Sequence, residues 1–211
     1  MKVVAINGSP RKEGNTYHAL SVIGEQVNQA GIDFEIIHIG NKIVRGCTAC
    51  MGCKRNKNQK CVITTDEVNN WIQKMKEADG ILIGSPVHFA GIAGTMKAFL
   101  DRVFEVASVN NFMFRNKVGA AVVAVRRSGG VFTFDALNHY LMYSEMIISS
   151  SNYWNVTHGL EQGEASQDGE GNQIMRVLGK NMAWLLKVLA AGKDSVDPVV
   201  MEEKEVTNFI R

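Results

Sequence analysis

All four cysteines of this chain lie within fifteen residues, in the pattern C-x2-C-x2-C-x7-C formed by Cys47, Cys50, Cys53 and Cys61. Cysteines placed at random would cluster this tightly in only about one chain in a thousand, so the spacing indicates a shared chemistry. The candidate chemistries are a disulfide pair, a zinc ion, an iron–sulfur cluster and a group of reactive thiols.

The rest of the sequence narrows these candidates. The first ten residues, MKVVAINGSP, carry one lysine and too short an apolar run for a secretory signal, and no run of about eighteen apolar residues exists. We therefore expect a cytoplasmic protein with no membrane segment, in which thiols stay reduced and a structural disulfide is excluded. C-x2-C-x2-C is also tighter than the two separate knuckles of structural zinc sites, and the run lacks the C-x3-C-P ending of ferredoxins.

The net charge of +2 gives no reason to expect nucleic acid.

A second candidate site is the loop NGSPRKEGNT, Asn7 to Thr16, which leads from a strand signal into a helix signal. Backbone N–H groups and the helix dipole make such a loop a phosphate cradle. The Walker lysine and the dinucleotide pattern G-x-G-x-x-G are both absent, so the loop suits one terminal phosphate. Its polar donors are Ser9, Asn15 and Thr16, with Arg11 as a charge partner. The structural alternative is a polar loop with a helix cap.

The segment GSPVHFAGIAGTMKAFLDR follows the third strand signal and offers a flat, partly apolar surface with free backbone groups. A flavin ring requires such an arrangement, with apolar contact on its face and polar backbone at its edge. The predicted ring contacts are Pro86, Val87, His88 and Phe89. The alternative for His88 alone is a structural surface histidine.

The segment RRSGG follows the fourth strand signal. Its glycines permit close backbone approach, and its arginine favours the negative charge that a reduced flavin develops. The predicted contacts, on the other side of the ring from the preceding loop, are Arg127, Ser128, Gly129 and Gly130. An ordinary tight turn is the alternative.

These loops need a scaffold, and strand and helix signals alternate five times to supply it. Short apolar, β-branched runs predict parallel strands covered on both faces, and amphipathic segments between them predict helices, so we expect an open α/β sheet. Ligands bind beyond the carboxyl ends of the strands in such sheets. The strands are predicted at 2–8, 33–40, 79–86, 117–125 and 146–154. One domain, 1–211, is expected, with a cysteine loop at residues 45–62 and a loose or partner-bound tail from about residue 193.

The segments GSPRKEGNT and SPVHFAGIAGTMKAFLDR together with the cysteine loop resemble the flavodoxin-like NAD(P)H-dependent FMN reductases, in particular their iron–sulfur flavoprotein branch. The similarity runs from Met1 to about Leu189 and includes RRSGG and LGKNMAWLLK. It implies a flavodoxin-like five-stranded parallel sheet of order 2-1-3-4-5 with helices on both faces, bound FMN, and a homodimer or homotetramer with flavin sites near subunit contacts. It also implies a 4Fe-4S cluster, whose ligands would be Cys47, Cys50, Cys53 and Cys61.

The function expected from this resemblance is that of an FMN-dependent oxidoreductase that couples one-electron and two-electron transfer. The redox partner would be a ferredoxin or NAD(P)H, no catalytic side chain is predicted, and the cluster is expected to be lost on aerobic handling. Two alternatives stay open: an NAD(P)H-dependent reductase of FMN, quinones or azo compounds without a cluster, and a flavodoxin-type electron carrier.

Overall fold

The structure, a computed structural model, describes residues 1–210. Its centre is a parallel sheet of strands β1 (Lys2–Asn7), β2 (Asp33–His38), β3 (Gly80–His88), β5 (Val118–Val125) and β6 (Ile147–Ile148) in the order β2-β1-β3-β5-β6. This is the predicted order 2-1-3-4-5, because β5 and β6 are the fourth and fifth strands of the parallel series. The short strand β4 (Gly91–Ile92) pairs antiparallel with the end of β3 and forms a hairpin there.

The central strands are buried on both faces, as their continuous apolar runs predict. Alternate residues of β1 point to opposite sides: Val4 and Ile6 belong to one hydrophobic core, and Val3 and Ala5 belong to the other. The first core is covered by α3 (Val68–Glu77), α4 (Gly94–Val109) and α5 (Gly130–Tyr143), and the second by α1 (Asn15–Gln29) and α6 (Gly169–Gly192). The predicted helices on both faces are confirmed.

The fifth strand is not the continuous run predicted at 146–154. It is divided into β6 and β7 (Val156–His158), which pair with the beginning and the end of β5. Between them the chain bulges outward, and Asn155 replaces the missing ladder: its Nδ2 donates to Ala121 O at 3.0 Å and its carbonyl accepts from Val123 N at 2.9 Å. Ser151 adds local bonds, since its Oγ donates to Tyr153 O at 2.6 Å and accepts the Tyr153 N–H at 3.2 Å, and such side-chain bonds compete with a strand ladder.

Helix α3 begins at Val68, although Thr64 and Thr65, a few residues earlier, are of a type that commonly caps a helix N-terminus. Neither threonine caps it; the carboxylate of Asp66 accepts the Val68 N–H at 3.3 Å and also binds Arg102. Asp66 thus joins α3 to α4, which explains why the helix starts after it. Gly31, just beyond the end of α1, has a φ of +78°, the left-handed backbone conformation that glycine adopts readily and that commonly ends a helix.

The remaining elements are short. The cysteine loop contains one helix, α2 (Gly52–Asn56), and a 3₁₀ turn (Glu164–Gln167) precedes α6. Residues 199–210 form no regular element and are exposed. No helix within residues 1–210 is long and apolar enough to cross a membrane.

Candidate functional site

The loop after β1 forms one wall of a cavity of about 230 Å³ at the carboxyl ends of the strands. Seven of the predicted flavin contacts line this cavity: Ser9, Arg11, Asn15, Thr16, Pro86, Val87 and His88. Helix α1 begins here without a side-chain cap, so the N–H groups of its first turn are free to bind a ligand. Thr16 Oγ1 is buried and has no hydrogen-bond partner within residues 1–210. The site therefore offers unpaired donors for an anion.

The phosphate loop is fixed from beneath by residues that the sequence prediction did not select. Buried Asn7 accepts the Ser9 N–H at 3.1 Å and donates to Lys12 O at 3.0 Å. His38 Nε2 lies 2.8 Å from Ser9 O. Gly40 packs so closely that a Cβ there would lie 2.0 Å from Ser9 O. Small or amide residues just after two adjacent strands are the sequence signal for this support.

Two of the predicted phosphate residues are already engaged elsewhere. The Asn15 side chain donates to Glu161 O at 2.9 Å and accepts from the N–H groups of Gly163 and Ala165. It therefore ties α1 to the 159–165 segment, and only its backbone N–H faces the loop unpaired. Arg11 Nη1 lies 3.4 Å from Leu160 O and remains exposed.

The loop after β3 is held in a hairpin by Ser85, whose Oγ accepts the Ala93 N–H at 3.1 Å and donates to Pro86 O. At its tip Phe89 and Ala90 have φ values of +47° and +60°. The predicted ring contact Phe89 has a fully exposed side chain and does not line the cavity described above. Strained backbone of this kind concentrates at ligand sites.

The loop after β5 packs directly against this hairpin, since a Cβ on Gly129 would lie 2.8 Å from Ala90 Cα. The predicted contacts Arg127, Ser128, Gly129 and Gly130 line a second cavity of about 480 Å³. The half-exposed rings of Tyr153 and Trp154, 4.4 Å apart in an edge-to-face pair, form its rim. The two cavities adjoin along β5 and β7: Arg126 and Gly159 line the first, while Arg127 and His158 line the second. The sequence prediction missed this aromatic pair because it placed both residues inside a strand.

The four cysteines line one small cavity of about 20 Å³, whose wall includes Arg102, Glu105 and Val106 of α4. All four are free thiols; Cys53 is buried, Cys61 partly buried, and Cys47 and Cys50 exposed. Within residues 1–210, no three His, Cys, Asp or Glu side chains converge tightly enough to hold a single metal ion. The four thiols thus surround a common space.

The cysteine loop has an unusual backbone. Four of its non-glycine residues have positive φ values: Ala49, Met51, Lys57 and Gln59. Each such residue costs of order 1–3 kcal/mol, so the surrounding structure must impose the conformation. Asn69 of α3 supplies part of that restraint, because its side chain accepts the Cys61 N–H at 2.8 Å and donates to Cys61 O at 2.9 Å.

Electrostatics distinguish the thiols. The Gly52 backbone N–H, followed by the Thr48 hydroxyl, lowers the pKa of Cys50, whereas burial raises the pKa of Cys53. Buried Arg102 also lines this cavity. Burial alone would lower the pKa of Arg102, but Asp66 and a Cys61 thiolate outweigh it and raise that pKa.

Helix α4 supports both sites. Its Met96 lies against Gly8 of the phosphate loop, and its Arg102 reaches the cysteines. Six residues of α-helix separate these two contacts, about 9 Å along the axis.

Comparison with known proteins agrees with this arrangement. Residues 1–161 match the family model of NADPH-dependent FMN reductases. An iron-sulfur flavoprotein of Methanocaldococcus jannaschii is 36% identical over 200 residues, covering 90% of this chain and 99% of its own. One from Archaeoglobus fulgidus is 37% identical over 150 residues, covering 70% and 71%.

A solved archaeal flavodoxin has the same fold, with a TM-score of 0.59 at 18% identity over 89% of this chain and 99% of its own. The matched segment of the family model holds both the phosphate loop and the cysteine loop. The chain therefore belongs to the NADPH-dependent FMN reductase family, in its iron–sulfur flavoprotein branch, and is a flavin-dependent oxidoreductase.

Proposed function

We propose that this oxidoreductase binds FMN beyond β1, β3 and β5 and a 4Fe-4S cluster at Cys47, Cys50, Cys53 and Cys61, and that it couples two-electron to one-electron transfer. The observation that carries the cluster is the single cavity that all four thiols share.

The residues present fit FMN. Thr16 Oγ1 is a buried hydroxyl without a partner in residues 1–210, and it stands beside the free N–H groups that open α1. A phosphate oxygen would satisfy both, and Arg11 would offset its charge. The first cavity is smaller than ligand pockets usually are, about 300–1,000 Å³, but the second adjoins it and provides room for the ring.

The cysteines also fit a cluster. Each of four iron atoms takes one thiolate at a separate corner, so cluster ligands stand further apart than the ligands of one ion. Four cysteines that line one cavity supply that number of thiolates. The lowered pKa of Cys50 favours the thiolate that a cluster needs.

When bound, FMN exchanges two electrons as a hydride or singly, and the cluster exchanges one electron at a time. The protein contributes position: α4 supports both sites, Ser85 holds the hairpin that would carry the ring, and Asn69 fixes Cys61. We predict that no side chain need donate or accept a proton for this chemistry.

We further propose NAD(P)H or a ferredoxin as redox partner, a cytoplasmic location, and a homodimer or homotetramer. Four free thiols suit a reducing compartment. A subunit contact is supported by the exposed rings of Phe89, Tyr153 and Trp154 beside the flavin loops, since a partner surface would cover them.

The test is chemical analysis of protein purified anaerobically. We expect about one FMN per chain, about four iron atoms and four sulfide ions, and a broad absorbance shoulder that reductant bleaches. Full FMN with neither iron nor sulfide after attempted reconstitution would leave a cluster-free flavin reductase. Stoichiometric FAD in place of FMN would contradict the single-phosphate assignment.

A further inference from the structure

Arg102 is the most deeply buried charged side chain near the cysteines. Its residue is 1% exposed, and it extends from α4 into the wall of the cysteine cavity. A buried guanidinium must be paired and hydrogen-bonded to offset its desolvation, so its partners indicate what it does.

These partners lie at the two ends of the cysteine loop. Nη1 donates to Arg45 O at 3.0 Å at the beginning of the loop, and Nη2 donates to Ile63 O at 3.2 Å, one residue beyond its end. Nη1 also pairs with Asp66, which keeps the charge compensated. One side chain therefore closes the loop on α4.

The third nitrogen of the guanidinium group has no partner. Arg102 Nε is buried and has no hydrogen-bond partner within residues 1–210. Arg102 lines the same cavity as Cys61, and the proximity of Cys61 contributes to the raised pKa of Arg102. A buried donor without an acceptor costs about 1–3 kcal/mol, and an anionic sulfur in the cavity would recover that cost.

We propose that Arg102 is the positioning residue of the cysteine site, closing the loop through its terminal nitrogens and directing Nε–H and its positive charge at the cluster, which raises the cluster's reduction potential. Reduction adds a negative charge, and hydrogen bonds and positive charge at the sulfurs favour the reduced form. This inference rests on the proposed function, since it assigns a residue to the cluster.

The experiment uses full-length protein reconstituted anaerobically with ferrous iron and sulfide. The first variant, Arg102→Met, removes the positive charge and the hydrogen-bond donors. The second, Arg102→Lys, keeps the charge but lacks the two terminal guanidinium nitrogens that bind the ends of the loop. Glu105→Gln removes a negative charge from the same cavity wall without touching the loop ties. Arg176→Met, at an exposed position of α6, is the matched control.

Three quantities are measured: iron, sulfide and FMN content, the cluster potential by mediated titration, and hydrogen exchange of residues 45–63. We expect Arg102→Met to lower the ratio of reduced to oxidised cluster roughly tenfold at fixed potential, about 59 mV for one electron, and to speed loop exchange. Glu105→Gln should shift the potential the opposite way and leave exchange unchanged. Arg102→Lys should speed exchange while its potential lies between those of Arg102→Met and wild type.

A potential for Arg102→Met equal to or above that of wild type, or unchanged loop exchange, overturns the proposal. Shifts of the same sign in Arg102→Met and Glu105→Gln also overturn it, because they indicate mere loosening. If Arg102→Met does not fold, Arg102→Lys and Glu105→Gln decide. If the wild type binds FMN but neither iron nor sulfide, the proposed function fails and the potential claim fails with it, while loop exchange still decides whether Arg102 closes the loop.

Discussion

The phosphate site and the cysteine site share helix α4, but they are held in opposite ways. The phosphate loop follows a central strand and is fixed by close backbone packing, as at Gly40 against Ser9. The cysteine loop lies between β2 and α3, contains only the short helix α2, and is fixed by side chains such as Asn69 and Arg102. Sheet geometry thus positions one site, and a few hydrogen bonds position the other.

The largest expected effect of breaking this arrangement is the loss of iron from a cysteine variant. Replacing Cys53 or Cys61 with alanine should remove most of the iron while FMN remains bound, because the flavin residues lie in separate segments. Iron, sulfide and FMN analysis of anaerobic protein measures both. Loss of FMN in parallel with iron would show that the two sites are not independent.

The reciprocal prediction is that Gly40→Ala disrupts the phosphate site and leaves the cysteine site intact. Its Cβ would lie 2.0 Å from Ser9 O, so the phosphate loop must move. We expect FMN affinity to fall at least roughly a hundredfold, about 2.8 kcal/mol, with iron content unchanged. Gly94→Ala is the control, since no atom lies within 4 Å of a Cβ there. Fluorescence titration of flavin-free protein gives the affinity, and wild-type binding by Gly40→Ala would contradict the packing argument.

A smaller effect is expected from removing the unpaired hydroxyl of Thr16. Thr16→Val keeps the shape but removes Oγ1, which is buried and unpaired in residues 1–210. Flavin-free protein should become more stable by about 1 kcal/mol, because an unsatisfied group is removed, while FMN binding weakens roughly tenfold. Urea unfolding with and without FMN measures the two signs. The same variant losing stability without flavin would mean that Thr16 has a structural partner.

The smallest effect concerns pH at the cysteine loop. Burial would raise the pKa of Asp66, but Arg102 outweighs it and lowers that pKa below 3.8. The stabilisation from Asp66 is therefore fully present above about pH 4 and is lost as pH falls through the folded-state pKa. In cluster-free protein, hydrogen exchange of the cysteine loop should accelerate below pH 4 before that of the phosphate loop. In Asp66→Asn, this extra acid sensitivity should be absent.

The two sites also differ in how much of them could be predicted from sequence. The two-sided core and the position of the phosphate loop follow from apolar periodicity and from the rule that ligands bind at the carboxyl ends of strands, whereas the strand order was expected from the family resemblance. The position of the second site could be predicted only from the close spacing of its four cysteines. The supports Asn69 and Arg102 could not be predicted, because their partners lie 8 to 57 residues away in the chain.

Two further differences have local causes. The sequence 146–154 is apolar at its start, which predicts a strand, but beyond Ser149 side chains bind part of the backbone: Ser151 bonds both the N–H and the carbonyl of Tyr153, and Asn181 donates to Ser150 O. Asn15 was predicted to bind phosphate through its amide, yet that amide is bonded to a segment nearly 150 residues further along. Which partner a polar side chain binds depends on the tertiary structure, and the apolar periodicity of the sequence carries no information about it.

The division of the last strand has a consequence for self-association. A sheet edge normally exposes a row of unpaired N–H and C=O groups that can template another chain. Here that edge is a two-residue strand and a three-residue strand separated by a bulge, so no long continuous row is presented. Edge-to-edge growth into fibres is thereby discouraged at this side of the sheet.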